Sequence, residues 1–167
     1  MSALRLDLTA RAALLCALAA GCLDTAPPEA EDGVRGSGAL LSVDTVGFTD
    51  VVGFHFTIDR VACDASETFH PMRIEADVDL LDIVLPGDFE LLDHQSDEET
   101  RALAADLFVP LDPGCYEVDA YPARDFPASG WVPSEDCSPA SATDVDVLDG
   151  LSEEVVLISQ CQGEDAS

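Results

Sequence analysis

The side chains able to do chemistry in this 167-residue chain are carboxylates, thiols and a few aromatics, and their spacing limits what that chemistry is. There are 34 Asp and Glu against 7 Arg and no Lys, a formal charge of −27. Two acidic runs have strand spacing. Glu75, Asp77 and Asp79 alternate with Ala76 and Val78, while Asp144 and Asp146 alternate with Val145 and Val147, with Asp149 just beyond. Carboxylates on one strand face repel unless they are screened or bridged, so both runs are candidate calcium sites. EF-hand spacing is missing, because no Asp-x-Asp-x-Asp-Gly run leads to a glutamate at its twelfth position. Solvated strand faces are the simpler expectation, and weak divalent binding gains if the fold sets the two runs side by side.

Tyr121, Phe126 and Trp131 form a second candidate, in a stretch from Pro122 to Pro139 that also holds Pro127, Gly130 and Pro133. Aromatics on such a loop stack on sugar rings or anchor a protein partner. The competing expectation, and the preferred one, is that Trp131 plugs the end of the fold beneath the loop. His55, His70 and His94 are scattered and are expected at the surface. The chain has no Gly-x-Ser-x-Gly elbow, no phosphate-cradling glycine loop and no paired-histidine metal motif. Carboxylate pairs are too abundant for any one to mark a glycosidase site. The expectation is a noncatalytic protein, with a small carboxylate-dependent hydrolase as the weakest alternative.

The last chemical candidate is a thiol. Ala12 to Gly21 is an uncharged, mostly Ala/Leu run that follows Arg5 and Arg11 and leads straight into Cys22. It is too short for a bilayer, which takes about 20 residues, and it fits a signal-peptide core of roughly 7 to 15. Leu18-Ala19-Ala20-Gly21-Cys22 resembles the cleavage site of bacterial lipoprotein signals. That resemblance implies export, cleavage before Cys22 and a diacylglycerol thioether on its sulfur, an anchor that holds firmly once two or more acyl chains are present. Leu23 stands where aspartate favours inner-membrane retention in many Gram-negative bacteria, so the resemblance implies the outer membrane or cell surface.

The organisation follows. Residues 1–21 are the signal, 22–37 a lipidated flexible tether with Pro27-Pro28 and acidic residues, 38–161 one domain, and 162–167 an acidic tail. Loss of Arg5, Arg11 and Asp7 would take the charge from −27 to −28. Nucleic acid is not an expected partner, since binding it needs a cationic surface that releases counterions. The expected partners are the membrane, through lipid on Cys22, and an envelope protein or glycan.

Within the domain, Gly38 to Val46 and Val52 to Asp59 read as strands, the second with Phe54, Phe56 and Ile58 on one face. Met72 to Val84 reads as a third, with a fourth at Leu81 to Leu85 after a bend. Ser96-Asp97-Glu98-Glu99 has capping-box form before Ala102 to Ala105 and predicts one short helix in a crossing. Asp144 to Gly150 and Val155 to Ile158 read as a terminal hairpin. Leu111-Asp112-Pro113-Gly114-Cys115-Tyr116-Glu117-Val118-Asp119-Ala120 resembles the tyrosine corner of immunoglobulin-like and prealbumin-like sandwiches, most closely the carboxypeptidase regulatory-like or Cna-B-like domains.

The resemblance implies an all-β fold: a single antiparallel β-sandwich of about seven strands, with the tyrosine hydroxyl bonded back to the corner. In an exported domain Cys63, Cys115, Cys137 and Cys161 suggest two disulfides, for which sequence alone allows three connectivities. A hairpin turn near Gly150 would bring Cys161 opposite residues 138–142, favouring Cys137 with Cys161 and leaving Cys63 with Cys115.

Overall fold

Alternation of buried and outward side chains sets nearly every strand in the computed structural model, which describes residues 36–47, 50–97 and 102–162. The signal, Cys22, most of the tether, Glu98 and Glu99 of the capping box, and residues 163–167 of the tail lie outside the described residues. Nine strands follow in order: β1 Gly38–Val46, β2 Gly53–Val61, β3 Arg73–Asp79, β4 Glu90–Asp97, β5 Ala102–Pro110, β6 Gly114–Asp125, β7 Val132–Pro133, β8 Ala140–Val147 and β9 Ser152–Gln160. They form a four-stranded sheet, β4-β5-β1-β9, and a five-stranded sheet, β3-β2-β6, in which β7 and β8 both pair with β6.

The sheets share one core. Ala39, Leu41 and Val43 of β1 and Leu103, Ala105, Leu107 and Val109 of β5 face Phe54, Phe56 and Ile58 of β2 and Tyr116, Val118 and Ala120 of β6. Deleting any one large member of such a core costs about 2–5 kcal/mol, because the cavity collapses only in part. At the corner before β6 the Tyr116 hydroxyl donates to the Asp112 carbonyl at 2.7 Å. Burial pushes the Tyr116 phenol above its ordinary pKa, with the Arg60 charge pulling the other way and Asp112 adding to the rise.

Four expectations change. Ala102–Pro110 is a strand and no helix occurs among the described residues. Ser96, the would-be cap, is itself in β4 and pairs with Leu103. Leu103, Ala105, Leu107 and Val109 supply a period of two to a central strand, which outweighs the weak helix preference of alanine. Leu81 to Leu85 is a turn closed by an isolated Asp79–Val84 bridge, not a strand. The described residues hold nine strands rather than about seven. The sandwich is also not wholly antiparallel, because β9 runs parallel to β1.

The terminal hairpin is absent: β8 pairs with β6 in one sheet and β9 with β1 in the other, so the Gly150 turn crosses between sheets. The Cys137–Cys161 disulfide forms all the same. An isolated antiparallel bridge between these two residues brings them together, flanked by Ser138 N–H to Gln160 O at 2.9 Å and Gln162 N–H to Asp136 O at 2.7 Å. Cys63 bonds Cys115 and ties the end of β2 to the start of β6.

Candidate functional site

The outer face of the five-stranded sheet is where side chains with chemical capacity gather. Asp77, His55 and Tyr121 are direct cross-strand neighbours on β3, β2 and β6. His55 Nδ1 is 2.8 Å from Asp77 Oδ1. The segment after β6 folds back so that Trp131 lies flat on His55, with ring centroids 4.5 Å apart and an interplanar angle of 9°. Tyr121 tilts against the same indole at 5.7 Å. Trp131 therefore stacks on the outside of the sheet and does not plug the end of the sandwich. It also covers His55, whose side chain is only 13 % exposed, so this histidine is not a plain surface group. His70 and His94 stay apart from it, one in a loop and one on β4.

Phe126, from the same loop, settles over a glycine. Gly53 is buried on β2, and a Cβ there would overlap the Val78 carbonyl and the Phe126 ring. Its cross-strand neighbour is Ala123, also buried. Two small residues thus leave the sheet low where the loop's phenylalanine settles.

The loop itself is tied at several points. β7 pairs with Ala123 and Asp125, Ser134 N–H donates to Pro122 O at 2.9 Å, and Ser134 Oγ donates to Asp50 Oδ1 at 2.6 Å. Gly130 N–H closes a turn onto Pro127 O at 3.0 Å, and Cys137–Cys161 fastens the loop's far end. The outcome is a partly exposed aromatic ledge, Trp131 with Tyr121, held in place before any ligand arrives. Beside it Thr57 and Ser141 hydroxyls donate to opposite oxygens of Asp119, at 3.4 and 2.5 Å. An amphipathic ledge bordered by hydroxyls and carboxylates suits stacking plus hydrogen bonding.

The acidic runs do not meet. β3, carrying Glu75, Asp77 and Asp79, and β8, carrying Asp144 and Asp146, lie on opposite sides of the sheet with β2 and β6 between them. Two of the β3 carboxylates are engaged locally. Asp79 accepts from the Leu81 and Asp82 amides at 3.0 and 3.2 Å, and Asp77 holds His55. Asp144 sits at positive φ where the β6–β8 register shifts, and from there Asp144 and Asp146 stay exposed while Val145 and Val147 turn inward. Asp149 is exposed in the turn before β9. Among the described residues no group of three His, Cys, Asp or Glu is arranged to hold a metal ion.

On the same face Arg73 donates to both Asp59 oxygens, Nε at 2.7 Å and Nη2 at 2.6 Å. The guanidinium holds the Asp59 carboxyl below its usual range, although partial burial opposes this. Sequence reasoning missed His55 as a member of the site. One signal was available: with Tyr116, Val118 and Ala120 inward, Tyr121 must face outward on the same side as His55. No family model, curated protein or solved structure matches the chain.

Proposed function

We propose that this protein is an exported, lipid-anchored, noncatalytic binding module of the cell envelope, and that the aromatic ledge is its contact surface. The observation that carries the reading is Trp131 stacked at 4.5 Å on a half-buried histidine on the outside of a sheet, at the tip of a loop tied by Cys137–Cys161. An aromatic fixed in this way loses little entropy on meeting a ligand, which is the condition for an effective contact residue. The two disulfides accord with an oxidising compartment, and Cys22 with its preceding Ala20-Gly21 supplies the lipid attachment.

Two experiments test the two halves of the proposal. Metabolic labelling with a fatty acid should mark the parent and not Cys22→Ala, and equal label on both removes the anchor. Glycan arrays and envelope-protein screens should yield a ligand whose affinity drops about tenfold or more in Trp131→Ala, as for a buried aromatic hot spot. Binding that ignores the substitution removes the ledge. Among the described residues no arrangement of carboxylates supports the calcium alternative, and a melting temperature unmoved by millimolar calcium would close it.

A further inference from the structure

The open edge of the five-stranded sheet carries a second binding feature, which adjoins the ledge at Asp77. Among the described residues β3 is the terminal strand of its sheet, paired only with β2. Two hydrogen bonds fix the phase of that pairing: Arg60 N–H to Met72 O at 2.8 Å and Leu80 N–H to Val52 O at 3.1 Å. The even-numbered residues of β3 therefore bond to β2, and antiparallel alternation turns the N–H and C=O groups of Arg73, Glu75 and Asp77 outward. Asp79 follows the same phase, since its carbonyl accepts from Val84 at the point where the edge closes. Beside the outward groups runs a cleft of about 370 Å³ lined by Ile74, Ala76, Pro86, Phe89, Val109 and Pro110. That volume lies in the range of roughly 300–1,000 Å³ usual for ligand clefts.

We infer that this edge receives an extended polypeptide segment with alternating apolar and cationic side chains, added as a further strand beside β3. The three parts of the edge call for three parts of one ligand. Outward backbone groups call for another backbone. The apolar cleft takes every second side chain on the inner side. On the outer side the partner's remaining side chains meet Glu75 and Asp77, with Asp88 across the cleft, while Arg73 is already neutralised by Asp59.

The charge also discriminates between occupants. A second copy of this chain would bring like carboxylates against like, a common way in which sheet edges are kept from self-pairing. No segment of this chain suits either, because it has no lysine and its 7 arginines are dispersed. The occupant is a cationic strand from another protein.

The probe is an acetylated hexapeptide alternating lysine with valine, added to the full chain with both disulfides formed. It should bind, weaken with added salt, and slow hydrogen exchange at the Glu75 and Asp77 amides. A peptide of three lysines followed by three valines should bind at least about tenfold more weakly, since it keeps the charge and loses the alternation. N-methylation at the lysines or at the valines blocks one backbone edge of the peptide each, so one series should bind and the other should not. Glu75→Pro removes an outward N–H without touching the β2 ladder and should weaken binding about tenfold, whereas Glu75→Gln should lose only the salt-sensitive part. Equal affinity of the alternating and block peptides overturns the inference. So does equal behaviour of the two N-methyl series, exchange protection away from β3, or no binding at millimolar peptide. The N-methyl peptides leave the protein unaltered, so their result stands even if Glu75→Pro misfolds.

Discussion

The sandwich has two outer faces, and they differ in what lies over them. On the four-stranded sheet a shallow depression of about 390 Å³ is lined by strand residues alone, among them Ser42, Asp44, Asp93, Gln95 and Asp106. Ser42 Oγ donates to Asp106 Oδ1 at 2.7 Å, and Val156 and Ile158 of β9 are half or more exposed. On the five-stranded sheet the segment from Pro122 to Pro139 folds back, covers Gly53 with Phe126 and lays Trp131 on His55. Each face has a glycine beneath a phenylalanine. Gly38 lies under Phe108 of its own sheet, whereas Gly53 lies under a ring supplied by the loop. The comparison teaches that a sheet face becomes a site when a tied loop sets aromatic groups at a fixed height above it, and that strand composition alone does not achieve this.

The largest expected effects come from the disulfides. Opening Cys63–Cys115, a separation of 52 residues, should cost about 4 kcal/mol, and opening Cys137–Cys161, a separation of 24, about 3.5 kcal/mol, on the chain-entropy scale. Urea unfolding of the two double-serine variants measures both. The faces separate in a second readout: only the Cys137→Ser, Cys161→Ser pair should change the emission of Trp131 under native conditions, because that bridge ends its loop. An equal change in both variants would break the claim that the loop is what builds the second face.

Alanine at the two glycines sharpens the same contrast. Gly53→Ala and Gly38→Ala each force a Cβ into a carbonyl and a phenylalanine ring, and overpacking of this kind costs about 1–3 kcal/mol. Thermal melts should show losses of similar size. Only Gly53→Ala should disturb the ledge, displacing Phe126 and shifting Trp131 emission, while Gly38→Ala moves Phe108, a ring of the four-stranded sheet.

How much of this was legible in the sequence also differs between the regions. Strands with strict alternation, such as Ala39-Leu41-Val43 and Phe54-Phe56-Ile58, announced themselves, as did the corner, where Tyr116 bonds back to Asp112. Glu90–Asp97 did not, because an edge strand that is mostly exposed and bulged between Leu91 and Asp93 has no apolar period to read. The helix expectation failed where a local capping signal at Ser96 conflicted with the two-residue period that follows it. The disulfides were anticipated through a hairpin that does not exist, since residues 137 and 161 meet by a bridge between segments whose following and preceding strands belong to different sheets. The ledge was half legible. Composition pointed to Tyr121, Phe126 and Trp131, but where a loop comes to rest depends on tertiary contacts such as Ser134 to Asp50, which no period encodes.

Acid should act on the five-stranded face through Asp59. Its carboxyl is held below the usual value, first by the hydrogen bonds from Arg73 and next, against burial, by the Arg73 charge. A depressed carboxylate contributes stability above its unfolded value of about 3.9, and that contribution is lost as pH falls through the lower folded value. Melting temperatures between pH 6 and pH 2 should therefore fall more steeply in the parent than in Arg73→Gln, by a small margin because the pair is exposed and screened. Parallel curves would mean that the pair holds nothing.

The smallest effect belongs to the uncovered face, and its smallness is the point. Val156 and Ile158 point outward from β9, 58 % and 50 % exposed. Threonine keeps the β-branched shape a strand accommodates and replaces one methyl of Val156, or the ethyl of Ile158, with a hydroxyl already in water. Val156→Thr with Ile158→Thr should therefore change stability by no more than about 0.5 kcal/mol, and should leave both Trp131 emission and any ligand bound at the ledge as they were. A loss of ligand in that variant, with folding intact, would place a working surface on the four-stranded sheet and remove the asymmetry between the faces.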